Sequence, residues 1–369
     1  MPFRWRRVIW CALVVPLLSA PADGAPAATT DTSTRTEAEV EALISKAGQT
    51  RPDWWDSVKL TYPKTLDLTF RQSKEGWKPN KYIGQYIISN VRPFPKRWRL
   101  GAKVLEHAWE VNRGNARAQR ATADNLAMHY GIYLEDWARA AHWWRVSLKL
   151  WGDRPPASHG VQLAECYRRL GNRAMAVRQA SAVMRQRWLH VGLIKLWSDL
   201  DDLPKALSVA EKMAKAGVPD QAYLTAADAC LRHGTFDEAR EYYRKVVGLK
   251  QGSRRMKKMK QYARSRLAAV KGLKAIDLAR VPDGRYTGAA VGYRGPITVA
   301  VTVKKGRITD VTTSQTGRKE DWPGASLTAT PRQIVEKQTI VGVDAITGAT
   351  STSQAVICGA AQAIAKGMK

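Results

Sequence analysis

The spacing of apolar residues changes several times along the chain, and each change marks a different kind of element. After Arg4, Arg6 and Arg7, an apolar stretch runs from Val8 to Leu18 and ends in Ala20-Pro21-Ala22. A basic head, a short apolar middle and a small-residue exit predict a secretory signal peptide over residues 1–22. The apolar part is too short for a comfortable membrane span. Residues 23–35 are rich in Ala, Thr, Pro and Asp and predict a flexible leader. Helical spacing first appears from Thr36 to Ala47, with Gly48 as the expected stop and Pro52 beyond it. From Asp53 to Trp98 there is no clear period. Trp54-Trp55, Tyr62-Pro63, Trp77-Lys78-Pro79, Pro93, Pro95 and Trp98 punctuate it. Residues 36–100 therefore read as an N-terminal helix followed by a mostly irregular cover. Helical periodicity holds over 101–275. Around Pro282 the period drops to two. Tyr286 to Tyr293, Ile297 to Val303 and Ile308 to Thr313 predict three strands, the last two joined by a tight turn at Lys305-Gly306. A short helix is expected with Pro331 in its first turn, running to Gln338. A final helix is expected from Ala355 to Lys366, started by Ser351-Thr352-Ser353. The pattern predicts a mainly α helical repeat followed by a small α+β domain over 282–369.

The long helical stretch is self-similar. Gly171 is followed five residues later by Ala176, Asp201 by Ala206, and Gly234 by Ala239, so the turns recur 30 and 33 residues apart. Upstream lie Leu163-Ala164-x-Cys166-Tyr167, Leu193-Ile194-x-Leu196-Trp197 and Ala226-Ala227-x-x-Cys230. A looser unit runs from Leu126 to Trp144. This resembles the tetratricopeptide repeat, a helix-turn-helix unit of about 34 residues. The resemblance implies a solenoid whose concave face binds peptide or protein. Cys166 and Cys230 read as small core residues of the first helices of their units. The stretch Ser253–Leu273 carries Arg254, Arg255, Lys257, Lys258, Lys260, Arg264 and Arg266. Its simplest role is a polar end cap; the sharper reading is contact with anionic lipid or an acidic partner.

Charge narrows the partners. The chain has 60 Lys+Arg against 32 Asp+Glu, a formal net charge of +28. Nucleic acid, an anionic surface and acidic proteins are the usual causes, and export argues against nucleic acid. Hydrophobic residues at 44% and charged residues at 25% exclude wholesale disorder. Beyond the signal peptide the cysteines are Cys166, Cys230 and Cys358, which form neither a disulfide framework nor a zinc site. The six histidines lack ligand spacing, and no Ser/His/Asp constellation is present. No catalytic residue and no metal ligand is assigned.

The chemistry concentrates in three pieces near the C-terminus. They are Asp283-Gly284-x-Tyr286-x-Gly288 with Gly295-Pro296-Ile297-x-Val299-x-Val301, then Lys305-Gly306-x-Ile308-x-x-Val311, then Asp344-x-x-Thr347-Gly348-Ala349-Thr350-x-Thr352-Ser353. A helix start after Thr350 offers free N–H groups and a dipole to a phosphate, with Ser351, Thr352 and Ser353 as further donors. Gly348 and Ala349 keep the approach open. On these residues alone, an ordinary N-cap at Thr350 or Ser351 and an ordinary turn at Gly348 are the favoured reading. Together the pieces, from Pro282 to Lys366, resemble the FMN-binding domain family of peripheral subunits in sodium-translocating and related membrane redox complexes.

The resemblance implies FMN joined to Thr350 through a phosphoester, within the segment Thr347, Gly348, Ala349, Ser351, Thr352 and Ser353. It also implies that Asp344 belongs to the signature read by a flavin transferase acting outside the cytoplasm on FAD with magnesium. Non-covalent FMN is the alternative. The sequence departs from the family at Glu320-Asp321-Trp322-Pro323-Gly324-Ala325, where Trp322 replaces a small polar residue and either stacks on the flavin or covers the core. The implied protein is an exported electron carrier, periplasmic or in the cell envelope, membrane-associated through an anionic surface. It works with redox partner proteins that dock on the solenoid. The alternatives are an envelope interaction scaffold with a structural or non-covalent FMN-binding domain, and an extracytoplasmic flavin-dependent reductase.

Overall fold

The computed structural model describes residues 34–250, 252–271, 273–315, 325–346 and 348–368. The expected signal peptide, most of the leader, the turn carrying Trp322, and Thr347 lie outside the described residues. Helix α1 (Glu37–Gln49) opens with a reciprocal cap: the Glu39 N–H donates to the Thr36 hydroxyl, and the Thr36 N–H donates to the Glu39 carboxylate at 2.7 Å. The helix runs through Gly48, the expected stop. Packing explains that glycine better than termination, since a Cβ there would fall 2.3 Å from Nδ1 of His142.

The following cover is irregular only in its first part. Lys103 ties it down, its ammonium donating to the carbonyls of Trp55 at 2.8 Å and Val58 at 2.6 Å. Trp54, Leu60, Tyr62 and Phe70 then pack on the core. The second part is helical, contrary to expectation: α2 (Ile83–Tyr86) runs on through a π turn at Ile87–Val91. Ile83, Ile87 and Val91 are all buried, an i, i+4, i+8 stripe that the flanking prolines obscure in the sequence.

Nine helices follow: α3 (Trp98–Val111), α4 (Ala116–Met128), α5 (Trp137–Trp151), α6 (Ala157–Arg169), α7 (Arg173–Met184), α8 (Gly192–Asp199), α9 (Leu203–Lys215), α10 (Pro219–Arg232) and α11 (Phe236–Gly248). Each packs on its successor, the nearest-neighbour stacking of a helical repeat. The anticipated turn residues Gly171, Asp201 and Gly234 all have positive φ, the left-handed closure that ends a helix. Asn172 and Asp202 then cap the second helices by accepting from Met175 and Lys205 N–H. Ala176, Ala206 and Ala239 are fully buried, which lets paired helices approach closely.

His129 follows α4 in a π turn and is completely buried. One ring nitrogen, Nε2, lies 2.7 Å from the Trp98 carbonyl and donates to it. Nδ1 has no partner among the described residues. A proton on Nδ1 would be a buried donor without an acceptor, and burial lowers the pKa from 6.5 to about 4. The unfolded chain takes this proton near pH 6.5 and the folded chain only near pH 4. Stability is therefore expected to rise with pH across that window by about 1.4 kcal/mol per unit. His129→Gln should flatten that part of a urea-midpoint against pH curve; an unchanged slope would assign it elsewhere.

The C-terminal sheet has the antiparallel order β1 (Gly284–Gly292), β2 (Gly295–Lys304), β3 (Arg307–Ser314). Ile297, Val299, Val301 and Val303 share its buried face, and Lys305 and Gly306 both take positive φ in the two-residue turn. Helix α13 (Ala325–Lys337) starts well before the expected position and holds Pro331 in its interior. Proline leaves the carbonyl four residues earlier without its donor. That carbonyl, of Leu327, accepts instead from the Thr313 hydroxyl of β3 at 3.0 Å.

Helix α14 (Thr350–Gly367) also begins earlier than expected and lies across β1 and β2. Gly288 of β1 makes this approach possible: a Cβ there would fall 2.2 Å from the Gly359 carbonyl oxygen.

Helix α12 (Arg254–Ala269) is not a simple outer cap. It packs against α10 and α11 on the repeat side and against β1 and α14 on the other. Arg266, one of its seven bases, is buried and bonded to Asp228 at 2.5 Å. One apolar cluster runs from Leu224, Cys230 and Tyr243 through Tyr262 to Val301 and Ile364. No helix among the described residues is long and apolar enough to cross a membrane.

Candidate functional site

The site is built where α14 begins. Thr350 is the first residue of this 18-residue helix, and Ala349, its N-cap, has no side chain able to close the end. Neither Thr350 nor Ser351 is the N-cap. Gly348 takes a φ of 80° and turns the chain into the helix. Of the three hydroxyl residues expected to add donors, Thr352 and Ser353 are buried. The Ser353 hydroxyl accepts from Ile346 N–H at 3.0 Å and donates to the Ala349 carbonyl at 3.3 Å, stitching the preceding loop to the first helical turn. Ser351 alone of the three is partly exposed, as is Thr350.

Asp344 enters the site from the loop before α14. Gln333 of α13 holds its backbone from both sides: the Asp344 N–H donates to Gln333 Oε1 at 3.0 Å and its carbonyl accepts from Nε2 at 3.2 Å. Its carboxylate faces the repeats. Oδ1 accepts from Arg232 Nε at 3.2 Å, and Oδ2 lies 3.5 Å from Arg168 Nη1. Burial alone would raise this carboxyl, but Arg168, Lys195, Arg232 and Arg169 together hold it below its ordinary value. Lys195 pairs with Asp199, whose carboxyl burial pushes up against the pull of Lys195 and Arg168. The backbone adds a further tie, Gly342 N–H donating to the Arg232 carbonyl at 2.7 Å.

Between α8, α10 and α14 lies a small cavity of about 30 Å³, lined by Ser198, Asp199, Asp228, Arg232, Thr350 and Gln354, among others. It has room for about two waters. Ser198 Oγ and Gln354 Oε1 are buried here with no hydrogen-bond partner among the described residues. A much larger open hollow, about 680 Å³, lies between β3 and α13 and is lined by Val311, Thr313, Leu327, Pro331 and Val335. That second volume, unlike the first, falls in the range of roughly 300–1,000 Å³ usual for small-molecule pockets, as does a hollow of about 600 Å³ beside Trp188.

The structure thus gathers Asp344, Gly348, Ala349, Thr350 and Ser351 at one helix end. Arg168, Lys195, Arg232 and Gln333 were not anticipated. A signal existed for two of them: Arg168 and Arg232 stand in the last turns of α6 and α10, where cations meet the negative helix pole. No group of side chains suited to a metal ion occurs among the described residues.

Residues 292–365 match the family model of the FMN-binding domain. Over 100 residues the chain is 31% identical to an NADH:acrylate oxidoreductase from Vibrio harveyi, covering 26% of this chain and 10% of that protein. The chain spans about a tenth of that relative's length. The match and the relative together support a flavoprotein redox role, located in the C-terminal domain.

The site's residues fit the phosphate end of FMN. An uncapped helix start presents N–H groups and a positive pole to an anion, with the Thr350 hydroxyl beside them. The unpartnered buried Ser198 hydroxyl is a spare donor close by, whereas Gln354 Oε1, an acceptor, offers an anion no hydrogen bond.

Proposed function

We propose that this protein is an exported electron carrier whose FMN is esterified to Thr350. The carrying observation is the open N-terminus of α14, with a threonine at its first position and no capping side chain at the N-cap. When bound, FMN supplies one- and two-electron redox chemistry. The chain's own part is to hold the phosphate at the helix pole, to fix the segment through Gln333, and to present the repeats to a redox partner. On this reading the attaching enzyme is a flavin transferase using FAD and magnesium outside the cytoplasm, in the periplasm or cell envelope.

The name of the Vibrio relative favours a second reading, a flavin-dependent reductase of a small acceptor. The two differ in turnover. The carrier is expected to accept electrons from a reduced dye and pass them to a redox protein without consuming acrylate. Steady acrylate reduction by the purified flavoprotein would favour the reductase, and absence of any flavin absorbance in native protein would favour a scaffold.

The basic charge supports docking to an anionic lipid surface. Helix α12 contains no acid, and Arg254, Lys257 and Arg264 are exposed on it. Each cation close to an anionic membrane contributes about 1 kcal/mol. The protein is expected to sediment with vesicles of phosphatidylglycerol and phosphatidylcholine but not with phosphatidylcholine alone. Lys257→Glu/Arg264→Glu should abolish this; undiminished binding would place the contact elsewhere.

A further inference from the structure

The repeats grip the segment that would be modified. Both carboxylate oxygens of Asp344 face guanidinium groups of the repeats, Arg232 at 3.2 Å and Arg168 at 3.5 Å. The Gly342 N–H bond to the Arg232 carbonyl closes the same seam through the backbone. On this side Thr350 borders a cavity of about 30 Å³, far below flavin size. The grip is also reversible in electrostatic terms. Arg168 keeps Glu165 at 2.8 Å, and Arg232 keeps Asp201 and the Ser198 carbonyl, each at 2.8 Å, if Asp344 leaves. Releasing the loop strands no bare cation inside the repeats.

We propose that Arg168 and Arg232 form a clasp that withholds Asp344 from the flavin transferase, so that Thr350 is modified while the Gly342–Ile346 segment is released from the repeats. The inference rests on the Thr350 reading above and adds its regulation. In the transfer, the bond from Thr350 Oγ to the FMN phosphorus forms and the pyrophosphate bond of FAD breaks. AMP leaves, and the threonine hydroxyl proton is released to solvent. Recognition of a carboxylate already shared by two guanidinium groups costs the transferase those pairs, whereas a released loop offers it free.

The test uses full-length protein, purified flavin transferase, FAD and magnesium, with covalent fluorescence followed over time. Arg168→Gln/Arg232→Gln is expected to incorporate flavin about tenfold faster than wild type, the change produced by ~1.4 kcal/mol. Arg168→Lys/Arg232→Lys, which keeps the charges, should stay nearer the wild-type rate. Hydrogen exchange should speed up at 342–346 in the Gln variant and far less in the repeats, where Arg169 still pairs Glu165 and Lys195 still pairs Asp199, which separates release of the clasp from misfolding. An equal or slower rate in a variant that passes this exchange check would overturn the clasp while leaving Thr350 as acceptor. Failure of every chain to take up flavin, with a known substrate modified in parallel, would overturn the acceptor reading and the clasp with it.

Discussion

Full-length chain produced with a flavin transferase is expected to give a fluorescent band in a denaturing gel, and Thr350→Val is expected to leave that position dark. The loss should be complete because valine keeps the branched shape and removes only the hydroxyl. Thr350 is partly exposed, and its hydroxyl has no hydrogen-bond partner among the described residues, so the fold should change by less than about 1 kcal/mol. Thr350→Ser keeps a nucleophilic oxygen at the same helix position and should retain the band. The neighbours cannot readily substitute. Thr352 and Ser353 are buried, and the Ser353 hydroxyl is spent on the Ala349 carbonyl and the Ile346 N–H. Fluorescence that persists in Thr350→Val and disappears in Ser351→Ala would move the attachment by one residue.

The second large effect is on stability. Asp228 of α10 binds Arg266 of α12 at 2.5 Å and accepts from the Tyr243 hydroxyl of α11 at 2.7 Å. Three helices therefore meet on one carboxylate, beneath the core shared with the C-terminal sheet. Burial pushes the Asp228 carboxyl up, while Arg266 and Tyr243 pull it down. Asp228→Ala would leave the Arg266 guanidinium, only 2% exposed, without its counter-ion. The expected loss is about 3–5 kcal/mol, since an uncompensated buried charge costs far more than the pair contributes. Replacing both residues, Asp228→Leu with Arg266→Met, should recover most of it. Chemical denaturation of the variants checks this, and a loss below about 1 kcal/mol for Asp228→Ala would mean that water reaches Arg266.

What the sequence discloses about this fold follows from how local each feature is. The turns at Gly171 and Gly234 are legible because left-handed backbone selects glycine, and the buried face of β2 because its alternation survives in four β-branched residues. The start of α13 is illegible because Pro331 is read as a helix opener. What permits it inside the helix is a hydroxyl on another element, Thr313. The seven bases of α12 look alike in the chain; the fold buries Arg266 on Asp228 and Lys260 on the Leu249 carbonyl, and leaves Arg254, Lys257 and Arg264 exposed.

The candidate site divides the same way. Asp344, Gly348 and Thr350 lie within one short motif and can be found without a structure. Arg232 meets Asp344 across 112 residues, a pairing that no local pattern contains.

The most direct measurement is the intact mass of the full chain after production with the transferase. Esterification at Thr350 predicts a mature chain heavier by one FMN less one water, with Thr350→Val at the unmodified mass. An unmodified wild-type mass, in cells where a known substrate of the same transferase is fully flavinylated, would contradict the covalent assignment.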